Sequence, residues 1–389
     1  MRVTPWRVSC AMTGENAIMQ GSGFDITIIG GGVIGLSLAR ALRAQRMSVC
    51  VIDAKMAMPQ ATSAAAGMLA PAFEEGPPAL EALTLESHRQ WPDFAAALEE
   101  ETGVDIDFQC DGVLGVATSQ EEAKNLAQHA EVLRAAGRPA QWLDENAVRA
   151  MEPTLASYIT AGVMVADEGQ VDARKLRLAL ATSCANTGVE SINETARKIR
   201  GTVGAREVVL SNGNCVAAGA VVFASGAAAV VPVDGLTAPP VIPVKGEALA
   251  LQRIGEGPRR VIRAANVYMC PKSDGRLIVG ATEKHGDASQ TVNADEIDAL
   301  RTAAQSMLPA LGAAKEIERW AGIRPGTPDN APILGASEYG PPDIFMALGA
   351  FRNGVLIAPA CAQLLVPTIL GGNEAVTQMK AFSPDRFSA

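Results

Sequence analysis

Apolar and polar positions follow two different periods along this chain. Residues 25–29 (DITII) form a short β-branched run of the kind buried in a parallel sheet. GGGVIG, Gly30 to Gly35, comes next, and then LSLARALRAQ, a helix-forming stretch with one apolar face. SVCVID, Ser48 to Asp53, reads as a second strand that ends on an acid. The longest apolar stretch runs from Cys215 to Val233 and is long enough to raise a membrane-spanning reading. Gly219, Gly226 and Pro232 interrupt it, so the pattern predicts a buried strand over 220–224 and a tight turn after it. Two strands joined by Ser273-Asp274-Gly275 are predicted within 267–282, and a helix over 293–308 with Asn293 as N-cap and Glu296 three residues on.

The first unit carries chemistry. Gly30 permits the tight turn off the strand, Gly32 lets a diphosphate approach the backbone, and Gly35 allows the helix to pack closely on the sheet. The helix N-terminus offers N–H groups and partial positive charge to an anion. Asp53 is placed to accept the hydroxyls of an adenosine ribose and to repel a 2′-phosphate, which disfavours NADP. The plainer alternative is a glycine-rich turn in an unrelated α/β protein, and the motif alone does not separate FAD from NAD.

Composition narrows the classes. A chain of 389 residues suggests two domains, and 48% apolar against 19% charged residues suits a globular protein. A net charge of −9 speaks against binding to nucleic acid or to an anionic membrane. Seven cysteines, none paired as CxxC, point to reduced thiols in a cytoplasmic protein, and three scattered histidines give no metal site or Ser–His–Asp triad. Residues 1–23 lack the apolar core of a secretory signal and read as a disordered tail, with Met12 or Met19 as other possible starts.

Six segments then occur in order: GGGVIG, TSAAAGMLAP from Thr62, IPVKGE from Ile242, VYMCPKSDGRLIVGAT from Val267, WAGIRPGTPDNAPILG from Trp320 and FRNGVLIAP from Phe351. Together they resemble the D-amino-acid-oxidase-like family of FAD-dependent flavoproteins, and within it the glycine-oxidase branch of the thiamine pathway. The resemblance covers nearly the whole chain from about Phe24. It implies an α/β (α+β) fold: a Rossmann-like FAD-binding domain from 24–85, 155–240 and 318–389, and a mainly antiparallel-sheet substrate domain from 86–154 and 241–317. It implies noncovalent FAD and oxidative deamination of a small amino acid by oxygen. Glycine is the first candidate, then sarcosine or D-alanine, giving glyoxylate or a keto acid, ammonia and hydrogen peroxide. A homo-oligomer and a functional link to thiazole synthase are expected with it.

By the same resemblance, Val33, Ile34, Asp53 and Ala54 join the glycines at the diphosphate and ribose. Ala61, Thr62, Ala66, Gly67 and Met68 line the diphosphate and flavin, and Ala196 holds the adenine side. Ala350, Phe351, Arg352, Asn353, Gly354, Val355 and Leu356 cradle the isoalloxazine. Arg324 binds the substrate carboxylate, Tyr268 donates its hydroxyl to it, and Arg352 lies at the border of flavin and substrate. Each arginine alone reads as well as a surface charge with a packed stem. Asn266, Glu283, Ala350 and Phe73 depart from the glycine-oxidase pattern. Phe73 is expected at the substrate entrance with Met68, narrowing the pocket; packing between domains is its other reading. A quinone-linked D-amino-acid or N-methylglycine dehydrogenase, a hydrogen-cyanide-synthase-like subunit and an inert flavin scaffold are the competing functions.

Overall fold

The computed structural model describes residues 23–54, 60–372 and 376–387, so the expected tail lies outside the described residues apart from Gly23. Two large sheets organise the chain. In the first, the strands run in the order Ile333–Ala336, Ile344–Leu348, Cys215–Phe223, Phe24–Ile29, Val49–Ile52, Glu190–Ile192. All neighbours along this path are parallel except Ile333–Ala336 on Ile344–Leu348.

The apolar runs are continuous because this sheet is covered on both faces. Ile26, Ile28, Val49, Val51, Ala220 and Val222 face a core shared with the helices Val33–Ala44, Pro78–Thr102, Ala173–Asn186 and Ala358–Ile369. The alternate positions Ile29, Cys50, Ile52, Val221 and Phe223 face a second core under the ribbon Ala196–Thr202 and Ala205–Leu210. The period-two alternation of strands thus feeds two cores from one set of residues. The 220–224 strand is part of a longer one, Cys215–Phe223. Among the described residues no helix is long and apolar enough to cross a membrane.

The second sheet is antiparallel apart from one parallel pair, Val261–Arg263 on Val113–Ala117. Its long strands Ile242–Gln252 and Glu316–Gly326 pair over their whole length, and its outer face carries the helix Ala294–Met307. Asn293 caps that helix by accepting the Asp295 N–H at 2.9 Å. Glu296 does not complete a capping box; it pairs with Lys284, while the Asn293 N–H donates to Glu247. The 267–282 hairpin forms as Tyr268–Pro271 and Arg276–Gly280.

Three elements lie across the expected domain boundaries, one helix by its packing and two strands by their pairing. Helix Pro78–Thr102 straddles the boundary at 85/86 and packs wholly with the first sheet's helices through Leu83, Trp91, Ala95 and Leu98. Strand Ala161–Val165, expected in the FAD unit, lies in the antiparallel sheet between Val113–Ala117 and Ala140–Asp144. Strand Glu316–Gly326, most of it expected in the FAD unit, pairs with Ile242–Gln252. Long-range hydrogen bonding decides these memberships, and local pattern does not encode it.

The ribbon over the parallel sheet is held by one buried fork. Asp343 accepts from Arg206 Nε and Nη2, both at 2.8 Å, and from the Gly204 N–H at 2.8 Å. Removing one member of such a pair strands the other charge without solvent. Asp343→Ala should therefore cost about 3–5 kcal/mol, read as a lowered urea midpoint. An unchanged midpoint would show that the ribbon stands without the fork.

Candidate active site

A cavity of about 780 Å³ opens between the ends of the parallel strands and the inner face of the antiparallel sheet. Its size suits a cofactor together with a small substrate. Every sequence-predicted site residue lines it except Gly35 and Phe73.

At one end the glycine turn is built as its spacing implies. Gly30 has φ +120°, and a Cβ there would lie 2.2 Å from the Ala224 carbonyl oxygen. A Cβ on Gly35 would lie 2.0 Å from the Gly30 carbonyl oxygen, so Gly35 serves close packing behind the cavity. A Cβ on Gly32 would meet nothing nearer than Thr62 Oγ1 at 3.4 Å; it would instead fill space that a ligand can use. The helix at Val33 has no side-chain cap at Gly32, and its first N–H is met by Thr62 Oγ1 at 3.0 Å from across the cavity. Asp53 faces the cavity beside Ala54, Glu194 and Ala196, and its Oδ2 accepts the Gly31 N–H at 2.6 Å. The carboxylate therefore braces the turn as well as offering an acceptor. An N-terminus with no side-chain cap of its own, an open cradle at Gly32 and an acid at the strand end fit the diphosphate and ribose of a dinucleotide.

The middle is walled by two loops with tethered backbones. Trp320 Nε1 donates to the Ala64 carbonyl at 3.0 Å, and Arg174 to that of Ser63 at 3.0 Å. Buried Lys272 donates to the carbonyls of Ala66 and Val171 and to Gln170 Oε1, each at 2.8 Å, and so fixes the turn at Gly67 from behind. Burial pushes the Lys272 ammonium below its ordinary value, with Cys270 and Asp172 opposing the shift. Opposite, Phe351 adopts φ 45°, an uncommon conformation for a residue with a side chain. Its N–H donates to the Pro325 carbonyl at 2.8 Å. The Leu356 carbonyl accepts from Ser87 Oγ at 2.7 Å and Trp91 Nε1 at 2.9 Å. Asn353 is buried on this wall, and its Oδ1 has no partner among the described residues, an acceptor available to a polar ring edge.

The far end holds the charged chemistry. Arg324 lies against Gly246, where a Cβ would be 2.3–2.4 Å from the guanidinium atoms, and donates Nη1 to the Thr282 carbonyl at 3.1 Å. The Tyr268 ring lies in the same way against Gly280, its cross-strand partner. Burial pushes the Tyr268 phenol up to about 12, only partly opposed by the nearby Arg324 charge. Arg352 donates Nε to Glu74 at 2.6 Å, and Arg263 approaches the other Glu74 oxygen at 3.4 Å. Glu283 lines the same end, with His285 Nε2 at 3.0 Å. Asn266 and Ala350 line the cavity too.

Phe73 is not at the entrance. The turn Pro71–Phe73 is pinned by the Ala72 N–H on Glu168 at 2.6 Å, and by His129 Nε2 at 2.7 Å from the Ala72 carbonyl. That turn sets the ring behind the cavity wall, on Gly115 and Leu126 and against the cluster of Ala66, Ala70 and Val113 that Met68 and Tyr268 also cover, with its centroid 6.0 Å from that of His129 and Arg263 over one face. Glu74, the next residue, reaches the cavity instead. Sequence reasoning missed Glu74, Arg263 and Lys272. The Lys272 signal was a lone lysine at the turn end of an apolar strand; Glu74 and Arg263 gave none.

Comparison with known proteins agrees with this geometry. The profile of the DAO family, described as FAD dependent oxidoreductase, matches residues 25–367. The chain is 35% identical to a glycine oxidase of Geobacillus kaustophilus over 93% of this chain and 97% of that one. It is also 35% identical to the bifunctional protein ThiO/ThiG of Synechocystis, over 93% of this chain but 54% of that protein. The crystal structure of glycine oxidase from Geobacillus kaustophilus superposes with a TM-score of 0.89 at 33% identity, covering 94% of this chain and 99% of that one.

Two outcomes follow for single substitutions. Gly32→Val should fold with an unchanged apoprotein melting temperature and lose its flavin, measured by absorbance after gel filtration. Retained flavin would remove Gly32 from the diphosphate site. Phe73→Ala should lower stability by up to about 3 kcal/mol while leaving the ratio of kcat/KM for D-alanine over glycine fixed. A ratio rising about tenfold or more would return the ring to the pocket.

Proposed function

This chain belongs to the DAO family of FAD-dependent oxidoreductases, and on that premise we propose that it oxidises a small α-amino acid. Glycine comes first and sarcosine or D-alanine next, giving glyoxylate or a keto acid, hydrogen peroxide and ammonia (methylamine from sarcosine). The observation that carries the reading is the pairing of Arg324 and Tyr268 over two bare glycines at the end of the cavity walled by residues 350–356. Bound FAD would supply the redox chemistry, as acceptor for the hydride of the substrate α-carbon with oxygen as the final oxidant. The 61–68 and 350–356 loops, Asn353 and the Gly30–Gly35 turn are the residues that would hold it.

The protein's own part is placement and charge. Arg324 keeps one nitrogen on the Thr282 carbonyl and has further N–H donors for a carboxylate fork. Tyr268, with its phenol held protonated up to about 12, serves as a donor to the same carboxylate and not as a base. Glu283 offers an acceptor to the amine at that end. The glycine-oxidase relatives support glycine as the first substrate, now that Phe73 carries no size argument. The ThiO/ThiG relative supports a supply of product to thiazole synthesis, with thiazole synthase as the functional partner. Arg352 is assigned to the flavin border, where Glu74 engages it.

Arg324→Ala should keep FAD but lose about 2–5 kcal/mol of transition-state binding, several tens-fold or more in kcat/KM for glycine. Arg324→Lys should rescue poorly, because an ammonium cannot make the fork. Near-normal kinetics in either variant would contradict the reading. Tyr268 has a sign to test as well. Its raised pKa keeps the hydroxyl a donor at every pH below about 12, so an alkaline limb in kcat/KM at lower pH belongs to another group. That limb should persist in Tyr268→Phe; its disappearance there would show Tyr268 titrating.

A further inference from the structure

Charge at the substrate end is unevenly shared. Three arginines line it, Arg263, Arg324 and Arg352, against two carboxylates, Glu74 and Glu283. Glu74 serves two of the arginines at once: Oε2 takes Arg352 Nε at 2.6 Å and Oε1 lies 3.4 Å from Arg263 Nη1. Its side chain is 11% exposed against 31% for Arg352 and 22% for Arg263, so water screens the pairs in part. Among the described residues the partners of Arg324 are carbonyls and not carboxylates. The end therefore presents a single positive charge in excess, on the one guanidinium that no acid holds.

We propose that Glu74 is a specificity-determining residue: it fits the site to a substrate with one carboxylate and excludes a substrate with two. The proposal rests on the amino-acid reading above. A first carboxylate goes to Arg324. A second would seek Arg352 or Arg263, and would meet the Glu74 carboxylate already there, a like-charge contact that costs several kcal/mol. Glu74 has a positioning part too. By taking the Nε edge of Arg352 it fixes the rotation of that guanidinium beside the loop whose Phe351 is held in the left-handed region. The backbone behind Glu74 is anchored separately, since Ala72 is pinned by Glu168 and His129. Glu74→Gln therefore changes the charge while the turn that presents the side chain stays supported.

The test titrates the FAD-loaded enzyme with acetate and with malonate, read by perturbation of the flavin absorbance. Wild type should bind acetate and discriminate against malonate. In Glu74→Gln the ratio of the two Kd values should shift toward malonate by about tenfold or more, since a like-charge repulsion is removed. Glu74→Asp, which keeps the charge, should keep the wild-type preference. The double variant Glu74→Gln/Arg263→Gln restores the net charge and should move the ratio back. A purely structural role would weaken both ligands together and leave the ratio alone, which would overturn the proposal. So would a wild type that binds malonate as tightly as acetate. If wild type binds neither, the amino-acid reading falls and this proposal with it.

Discussion

The guanidinium of Arg324 lies on a strand that has no side chain to keep it off. Gly246 leaves bare backbone where any Cβ would overlap the guanidinium, and Gly280 does the same beneath the Tyr268 ring. Both depend on the antiparallel sheet keeping its register, Val244 opposite Arg324 and Tyr268 opposite Gly280. Strand alternation turns the neighbours of Gly246 away from the cavity. Lys245 and Glu247 are buried on the other face, where Lys245 reaches the Thr291 carbonyl and Glu247 accepts the Asn293 N–H. Those bonds lock the rotation of the strand, and with it the plane on which Arg324 rests.

The same strands carry the site across to the first sheet. Glu316–Gly326 ends two residue pairs beyond Arg324, and the Pro325 carbonyl there accepts the Phe351 N–H. The wall at 350–356 is in turn held through Leu356 by Ser87 and Trp91 of the helix beneath. One continuous set of hydrogen bonds, backbone at Pro325 and side chain to backbone at Leu356, thus fixes the distance between the arginine and the face where a flavin would lie. Hydride transfer depends on that distance being preset, because a misplacement of an ångström is costly to rate.

Much of this was legible in the sequence where a residue's task is local. Gly30, Gly32 and Gly35 sit within a single turn, and the demands of a diphosphate on that turn determine their spacing. The hairpin at Ser273-Asp274-Gly275 and the Asn293 cap are local in the same sense. Closeness in sequence to the flavin loop does not give direction: the turn at Pro71–Phe73 sets the Phe73 ring behind the cavity wall and sends Glu74 into the cavity. The share of each sheet in strands Ala161–Val165 and Glu316–Gly326 depends on partners far along the chain. Lys272 and Arg263 depend on such partners as well: their acceptors, at Ala66, Val171 and Glu74, are all more than 100 residues away.

With FAD at one end of the cavity and Arg324 at the other, an amino acid should give up a hydride from its α-carbon. Mixing the yellow holoprotein with glycine in the absence of oxygen tests it most directly. The account predicts that the flavin band bleaches, and that it returns on admitting air with hydrogen peroxide and glyoxylate formed in equal amounts. A band that glycine, sarcosine and D-alanine all leave unchanged would contradict it.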